Sequence, residues 1–255
     1  MDPLERFARG VCSAPVALME LLLESEDVAA VERQVAGVPP LRDLLARHRA
    51  GCEKLVAGLK REPARGQDVL AYQRALFDGW VGESEATSVA FYSLGSSELL
   101  ARATDELVAW LAPYLSSSAR VLDFGCGIGR IAEALAPRVA RLDGVDLSAN
   151  MVDVARTRCA PLANVHIRQI EGRDLRAFAD ASFELALAVD SFPYVVEAGL
   201  ERALLSELRR VLAPGGTLVI LNYAYDERPF EPVDFAIEHA AQPFTLWNGR
   251  AFVLG

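Results

Sequence analysis

The spacing of apolar residues changes near residue 118 of the chain. Before that point, apolar residues mostly recur every three or four positions, which is the period of helices with one buried face. From Arg120 onward, short apolar runs alternate with amphipathic stretches, as in a mostly parallel sheet whose strands are connected by helices. The pattern therefore predicts an all-helical N-terminal region, residues 1–95, and an α/β domain, residues 96–255.

Five strands and a terminal hairpin are predicted in the α/β domain. Pro214–Gly215–Gly216 breaks the chain before the fifth strand, and Asn248–Gly249 is the dipeptide most typical of a hairpin turn. The predicted strands are 120–124, 142–146, 165–170, 184–189 and 217–224, and the predicted hairpin arms are 244–247 and 250–254. We therefore expect an α/β fold with a doubly wound, mostly parallel sheet that ends in an antiparallel hairpin.

Helices are predicted in both parts of the chain. In the N-terminal part they cover 13–24, 41–60, 66–80 and a stretch from Ser97 to Pro113. Between and after the strands they cover 129–136, 149–158, 200–212 and 231–241. The helical N-terminal region is expected to act as a lid above the sheet, where the substrate of an α/β protein binds.

Charge and cysteine content exclude several classes of function. The 255 residues include 26 Lys and Arg against 35 Asp and Glu, a net charge of −9. Such a surface repels phosphates, so we expect no nucleic-acid partner. The four cysteines are widely separated, which argues against a zinc site or a disulfide framework. No signal peptide or bilayer-spanning stretch is evident in the sequence, and we expect a cytoplasmic protein without membrane contacts; the oligomeric state stays open.

The most informative segment follows the first predicted strand. Asp123 precedes three glycines at alternate positions, Gly125, Gly127 and Gly129, and a helix follows. Without Cβ atoms, such a turn lets a ligand approach the backbone closely. A dinucleotide-binding turn would need a further glycine where this chain has Arg130. The Asp123 carboxylate would also repel a pyrophosphate, whereas it suits a ligand that carries an ammonium or sulfonium charge.

Asp146, at the end of the second predicted strand, is the second candidate ligand-binding residue. A carboxylate at this position can accept hydrogen bonds from both hydroxyls of a ribose. The alternative is that Asp146 only caps the helix that begins near Ser148. The glycine turn nearby favours the ribose.

The glycine turn and two other segments together resemble one family. The run D-x-G-x-G-x-G at Asp123, with LDGVDLSANMVDVAR and LLSELRRVLAPGGTLVILNY, is similar to the class I (Rossmann-like) S-adenosylmethionine-dependent methyltransferases, of the bacterial small-molecule type. The resemblance covers about residues 97–255. It implies that the cofactor is S-adenosyl-L-methionine and that the protein transfers a methyl group to a small organic acceptor, whose reacting atom stays open.

The resemblance also implies which residues hold the cofactor. Gly125 and Gly127 match the loop against the methionine part, with Asp123 near its ammonium, and Asp146 matches the ribose-binding acid. The other matched positions are Cys126 in the glycine loop, Leu147 and Met151 beside the adenine, Gly172, Arg173 and Asp174 at the adenine edge, and Asp190 near the transferable methyl. Asp174 could equally be a surface turn residue.

On the acceptor side, Tyr92 and Tyr194 are the candidate catalytic residues, expected to line an aromatic pocket. Ser191-Phe192-Pro193-Tyr194 is similar to the S-P-P-Y box of amino-group methyltransferases, with Phe192 in place of the first proline. Three alternatives stay open: a protein or RNA acceptor, a cofactor-binding module without catalysis, and an NAD-dependent oxidoreductase. Arg130 argues against the last.

Overall fold

The computed structural model describes residues 2–59, 68–81, 90–222, 237–240 and 250–255. Its contacts divide the chain into two compact units. The first comprises Met1–Arg65, Gly79–Leu107 and Pro243–Asn248, and the second comprises Gly66–Asp78, Val108–Gln242 and Gly249–Gly255. Residues 68–78 bind loops of the sheet, and the predicted domain boundary after residue 95 stays a prediction.

The first unit is built around one buried helix. The helices are α1 (Pro3–Ala8), α2 (Ala14–Leu23), α3 (Val28–Val35), α4 (Pro39–Arg47) and α5 (Arg49–Leu59). Helix α2 is buried over most of its surface and contacts the other four, which explains why its apolar residues are not confined to one stripe. The prediction of a single helix over 41–60 was wrong. The chain leaves helical geometry at His48, with φ −111° and ψ 22°, although the apolar spacing continues across the break.

The second unit contains the sheet. Its strands are β1 (Arg120–Phe124), β2 (Arg141–Asp146), β3 (Val165–Gln169), β4 (Phe183–Val189), β5 (Leu212–Asn222), β6 (Ile237–Ala240) and β7 (Arg250–Leu254). Their order is β3-β2-β1-β4-β5-β7-β6. The first five strands are parallel, and β7 pairs antiparallel with both β5 and β6. The predicted fold class is confirmed.

The remaining helices are α6 (Val69–Val81), α7 (Ser97–Leu111), α8 (Arg130–Leu135), α9 (Ala149–Cys159), α10 (Phe192–Glu197) and α11 (Glu201–Val211). Helix α10 was not predicted from the sequence. Helix α11 buries its apolar face in the core that also contains the inward side chains of β4 and β5. No described helix is long and apolar enough to cross a bilayer.

The C-terminal part departs from the sequence prediction in two places. The predicted helix over 231–241 is wrong for 237–240, which form β6 and pair with β7. Backbone pairing with a neighbouring strand overrides local helix preference here. The predicted second hairpin arm is β7, but the first arm, 244–247, lies outside the described residues. The Pro214–Gly215–Gly216 break lies inside β5, where the register with β4 shifts between Leu212 and Thr217.

Leu208→Ala tests the core below α11. The Leu208 side chain is fully buried, so its truncation should lower the free energy of unfolding by about 2–5 kcal/mol. Urea denaturation of the full chain measures this change. The matched control is Ser206→Ala, at an exposed position of the same helix; an equal loss in both variants would contradict the assignment of this core.

Candidate cofactor site

The strand order reverses between β1 and β4, so the loops that follow these two strands diverge to opposite sides of the sheet. A crevice at the carboxyl ends of the strands forms at such a point. Here the loop after β4 is bonded to the end of β1, because the Ser191 hydroxyl donates to the Phe124 carbonyl at 2.7 Å. The predicted cofactor-binding residues after β1, β2 and β4 therefore belong to one edge of the sheet.

The glycine loop after β1 has a conformation that other residues rarely adopt. Gly125, Gly127 and Gly129 have φ values of 74°, 52° and 76°, in the left-handed region where a Cβ is disfavoured. A Cβ on Gly125 would also lie 2.3 Å from the Ser191 Cβ, and one on Gly129 would lie 3.0 Å from the Ala155 Cβ. Gly125 and Gly129 are therefore needed by the protein's own packing, in addition to any approach of a ligand.

Asp123, in β1, carries an unsatisfied carboxylate oxygen. Its side chain is 1% exposed, and the buried Oδ2 has no hydrogen-bond partner among the described residues. Burial raises the pKa of Asp123 to about 7, Arg130 opposes the rise and Asp146 adds to it. A buried acceptor without a donor is destabilising by about 1–3 kcal/mol, so this oxygen is suited to a ligand that brings a donor, above all a cationic one.

Asp146 bonds the glycine loop to the start of α9. Its Oδ2 accepts from the Gly127 amide at 2.8 Å and its Oδ1 from the Ser148 amide at 2.9 Å. Burial raises the pKa of Asp146, and these amide bonds oppose the rise. The N-cap of α9 is Ser148, whose hydroxyl accepts from the Met151 amide. Each Asp146 oxygen keeps further acceptor capacity, which two vicinal hydroxyls could use.

The residues expected beside the adenine differ in their surroundings. Met151 is buried, and a Cβ on Gly172 would lie 3.2 Å from the Leu147 Cδ1, so Leu147 and Gly172 come together. The Arg173 guanidinium binds Asp68 at 3.0 Å. Their roles toward an adenine stay predictions.

The Asp174 carboxylate is directed at Arg176. It accepts from that residue's Nε at 2.8 Å and its amide at 3.2 Å. These bonds lower the pKa of Asp174. The structure therefore gives Asp174 a turn-stabilising bond, and a role at the adenine edge stays a prediction.

Arg130 lies within ion-pair distance of Asp190. Its Nη2 is 3.7 Å from the Asp190 Oδ2, and the two side chains are only 8% and 12% exposed. Asp190 has a positive φ of 58°, which is uncommon for residues with a Cβ, although Asp adopts it more readily than most. Arg130, which argued against a dinucleotide-binding turn, is thus a buried counter-ion of Asp190 near the ends of β1 and β4.

Cys126 and the two tyrosines also have defined places. Cys126 is buried in the glycine loop, and burial raises the pKa of its thiol, which favours the unreactive protonated form. Tyr194, in α10, is half-buried and packs edge-on against Phe77, with ring centroids 4.9 Å apart. Tyr92 is buried in a 3-10 turn of the first unit. Catalytic roles for both tyrosines stay predictions.

Sequence reasoning missed the part that α6 plays at this edge. Asp78 accepts from the Ser148 hydroxyl and the Asn150 amide, and Gln73 donates to the Tyr194 carbonyl. These residues belong to no motif. Their spacing gives no signal either, because side chains five positions apart do not share one face of a helix.

Residues 121–216 match a family model described as a methyltransferase domain. The O-methyltransferase cnsE of Penicillium expansum is 34% identical over 137 residues, which cover 52% of this chain and 48% of that protein. A demethylmenaquinone methyltransferase of Tropheryma whipplei is 33% identical over 118 residues, which cover 46% of this chain and 47% of that protein. The chain thus spans about half the length of these curated relatives.

A solved structure with a similar fold is phosphoethanolamine N-methyltransferase 1 of Haemonchus contortus, in complex with phosphoethanolamine and S-adenosylhomocysteine. It matches with a TM-score of 0.60 and 14% identity over 73% of this chain and 48% of that chain. At this identity the match shows a shared fold.

Gly125→Ala should abolish binding of S-adenosylhomocysteine, because the new methyl group would overlap Ser191 and displace the glycine loop. The control is Gly199→Ala. Gly199 also has a positive φ, but apart from its two chain neighbours no atom of the described residues lies within 4 Å of the position that its new methyl group would take. Calorimetry should show normal affinity in the control, with both variants folded by circular dichroism. Equal affinities would contradict a binding role of the loop.

The affinity for S-adenosylhomocysteine should depend on pH through Asp123. With a pKa of about 7 in the free protein, Asp123 is mostly protonated at pH 6, and binding of an ammonium group must then release that proton. The affinity should therefore be about tenfold higher at pH 8 than at pH 6. Asp123→Asn, titrated in the same buffers, corrects for ionisation of the ligand. A pH profile that the substitution leaves unaltered would disprove the assignment.

Proposed function

We propose, since the chain carries a class I S-adenosylmethionine-dependent methyltransferase domain, that the protein transfers a methyl group from S-adenosyl-L-methionine to a small organic acceptor. The observation that carries this proposal is the buried Oδ2 of Asp123, which has no hydrogen-bond partner among the described residues. Asp123 lies at the same edge of the sheet as the ribose candidate Asp146. A ligand that is cationic at one end and has a ribose at the other satisfies both.

The residues present fit this cofactor. Asp123 would accept from its ammonium and Asp146 from the two ribose hydroxyls, while Leu147 and the buried Met151 would contact the adenine. When bound, the cofactor supplies a methyl group activated by a positively charged sulfur. Asp123, Asp146 and Asp190 place three carboxylates at this edge against the guanidinium of Arg130, and this excess negative charge favours a cationic ligand.

The protein's contribution to the reaction is alignment of the two reactants. The Ser191–Phe124 hydrogen bond and the Arg130–Asp190 pair hold the loops after β1 and β4 in one arrangement. An acceptor must then approach from the β4 side, where Tyr194 packs against Phe77. We propose that Tyr194 lines the acceptor site, and Tyr92 is the second candidate for lining it. An acceptor hydroxyl would have to release its proton there.

A small-molecule acceptor is supported by two observations. The relative from Tropheryma whipplei is named for demethylmenaquinone, and the net charge of −9 disfavours a nucleic-acid acceptor. A protein acceptor and a cofactor-binding module without catalysis are the alternatives. We propose a cytoplasmic location, as expected from the sequence.

Asp146→Ala tests the ribose assignment. The loss of a charged acceptor for the ribose hydroxyls should weaken binding of S-adenosylhomocysteine by about 1.5–3 kcal/mol, or roughly ten- to 150-fold. Isothermal titration calorimetry measures the affinity, with Asp153→Ala, an exposed acid of α9, as the control. An affinity that survives the substitution would reject the assignment.

The proposed reaction is tested with a panel of phenols, quinols, amines and thiols. The wild-type chain should convert S-adenosyl-L-methionine to S-adenosylhomocysteine faster with at least one of these acceptors than without any, as measured by mass spectrometry. Cofactor binding without turnover on this panel would favour the module, whereas preferential binding of NADH would contradict the proposed cofactor.

A further inference from the structure

Helix α6 lies outside the matched region, 121–216, yet residues 68–78 belong to the same compact unit as the sheet. They bond to three successive loops at the carboxyl edge. The contacts reach the turn after β2, the loop after β3 and the helix after β4. This segment therefore contacts three of the loops that carry candidate cofactor-binding residues.

The contact with the turn after β2 involves Asp78. Its Oδ1 accepts from the Ser148 hydroxyl and, at 3.2 Å, from the Asn150 amide, while its carbonyl accepts from the Asn150 side chain at 2.8 Å. Ser148 in turn donates its amide to Asp146. Asp78 is thereby connected through one serine to the proposed ribose-binding carboxylate.

The contact with the helix after β4 involves Gln73 and Phe77. Gln73 is 2% exposed, and its Nε2 donates at 3.0 Å both to the Tyr194 carbonyl and to the Glu197 carboxylate. The Phe77 ring packs edge-on against Tyr194. Polar bonds of a buried amide are costly to break without replacement, so this contact holds α6 firmly on the methyl-transfer side.

The contacts with the loop after β3 are weaker. The Arg74–Glu171 and Asp68–Arg173 ion pairs, at 3.1 Å and 3.0 Å, involve largely exposed side chains, and such pairs contribute little to stability. They place the N-terminal end of α6 beside Gly172, where the adenine is expected. Asp78 and Gln73 are therefore the residues that hold the helix in place.

We propose that α6 forms the outer wall of the cofactor crevice, and that Asp78 and Gln73 are positioning residues that keep it closed over a bound nucleoside. This inference rests on the proposed function, since the loops that α6 bridges are the ones assigned to ribose, adenine and the transferable methyl. A nucleoside held by these loops would lie beneath α6. It could then enter or leave only after the Asp78 and Gln73 bonds have opened.

The test measures the rate constants for binding of S-adenosylhomocysteine to the immobilised full-length chain by surface plasmon resonance. Asp78→Ala and Gln73→Leu each remove one attachment of α6, and both should raise the association and the dissociation rate constants together, by about fivefold or more, with little change in Kd. Asp78→Asn keeps an acceptor for Ser148 and should restore rates close to those of the wild type. Asp153→Ala is the charge-matched control.

Hydrogen exchange gives a second readout. Amides of residues 69–78 should become more protected when S-adenosylhomocysteine binds to the wild type, and less so in Asp78→Ala. Rate constants that neither Asp78→Ala nor Gln73→Leu alters would overturn the inference. So would a rise in dissociation alone, because that pattern indicates lost contacts rather than an opened wall.

The two proposals fail in distinguishable ways. A wild-type chain that does not bind S-adenosylhomocysteine overturns the proposed function and this inference with it. If the wild type binds S-adenosylhomocysteine and both α6 variants have the same rate constants as the wild type, only the inference is overturned.

Discussion

The rest of the site depends on the two hydrogen bonds that the Asp146 carboxylate accepts from backbone amides. One oxygen holds the Gly127 amide and the other holds the Ser148 amide. The first bond fixes the glycine loop after β1, and the second fixes the start of α9. Through the Ser148 hydroxyl the same arrangement extends to Asp78. A single side chain at the end of β2 thus joins three segments that are far apart in the sequence.

Charge is the second constraint on this edge of the sheet. Asp123 and Asp190 are largely buried near the guanidinium of Arg130. Burying carboxylates in excess of their counter-ions is destabilising, and the pKa of Asp123 is raised mainly by its burial, with a further contribution from Asp146. A cationic ligand would relieve it, because its charge would stabilise the ionised form of Asp123. The same imbalance would make an anionic pyrophosphate a poor ligand. The charges at this edge therefore favour a cationic nucleoside over a dinucleotide.

The sequence predicted the sheet well because buried parallel strands leave a local signal. The run at 120–124 coincides with β1, and the other parallel strands begin within one residue of their predicted starts, except for β5. The break at His48 and strand β6 were not predicted. In the first case the apolar period continues through the break, and in the second a neighbouring strand decides the conformation of 237–240. Neither the break at His48 nor the pairing of 237–240 leaves a signal in the local spacing of apolar residues.

The candidate site divides in the same way. The sequence alone singled out Asp123, Gly125, Gly127 and Asp146 as candidates, because glycines at alternate positions and carboxylates at strand ends form a recognisable local pattern. The tertiary structure alone decided that Arg130 faces Asp190 and that α6 bonds to three loops of the sheet. These contacts join residues up to 124 positions apart. Such pairings depend on how the elements pack, and local spacing along the chain carries no record of that packing.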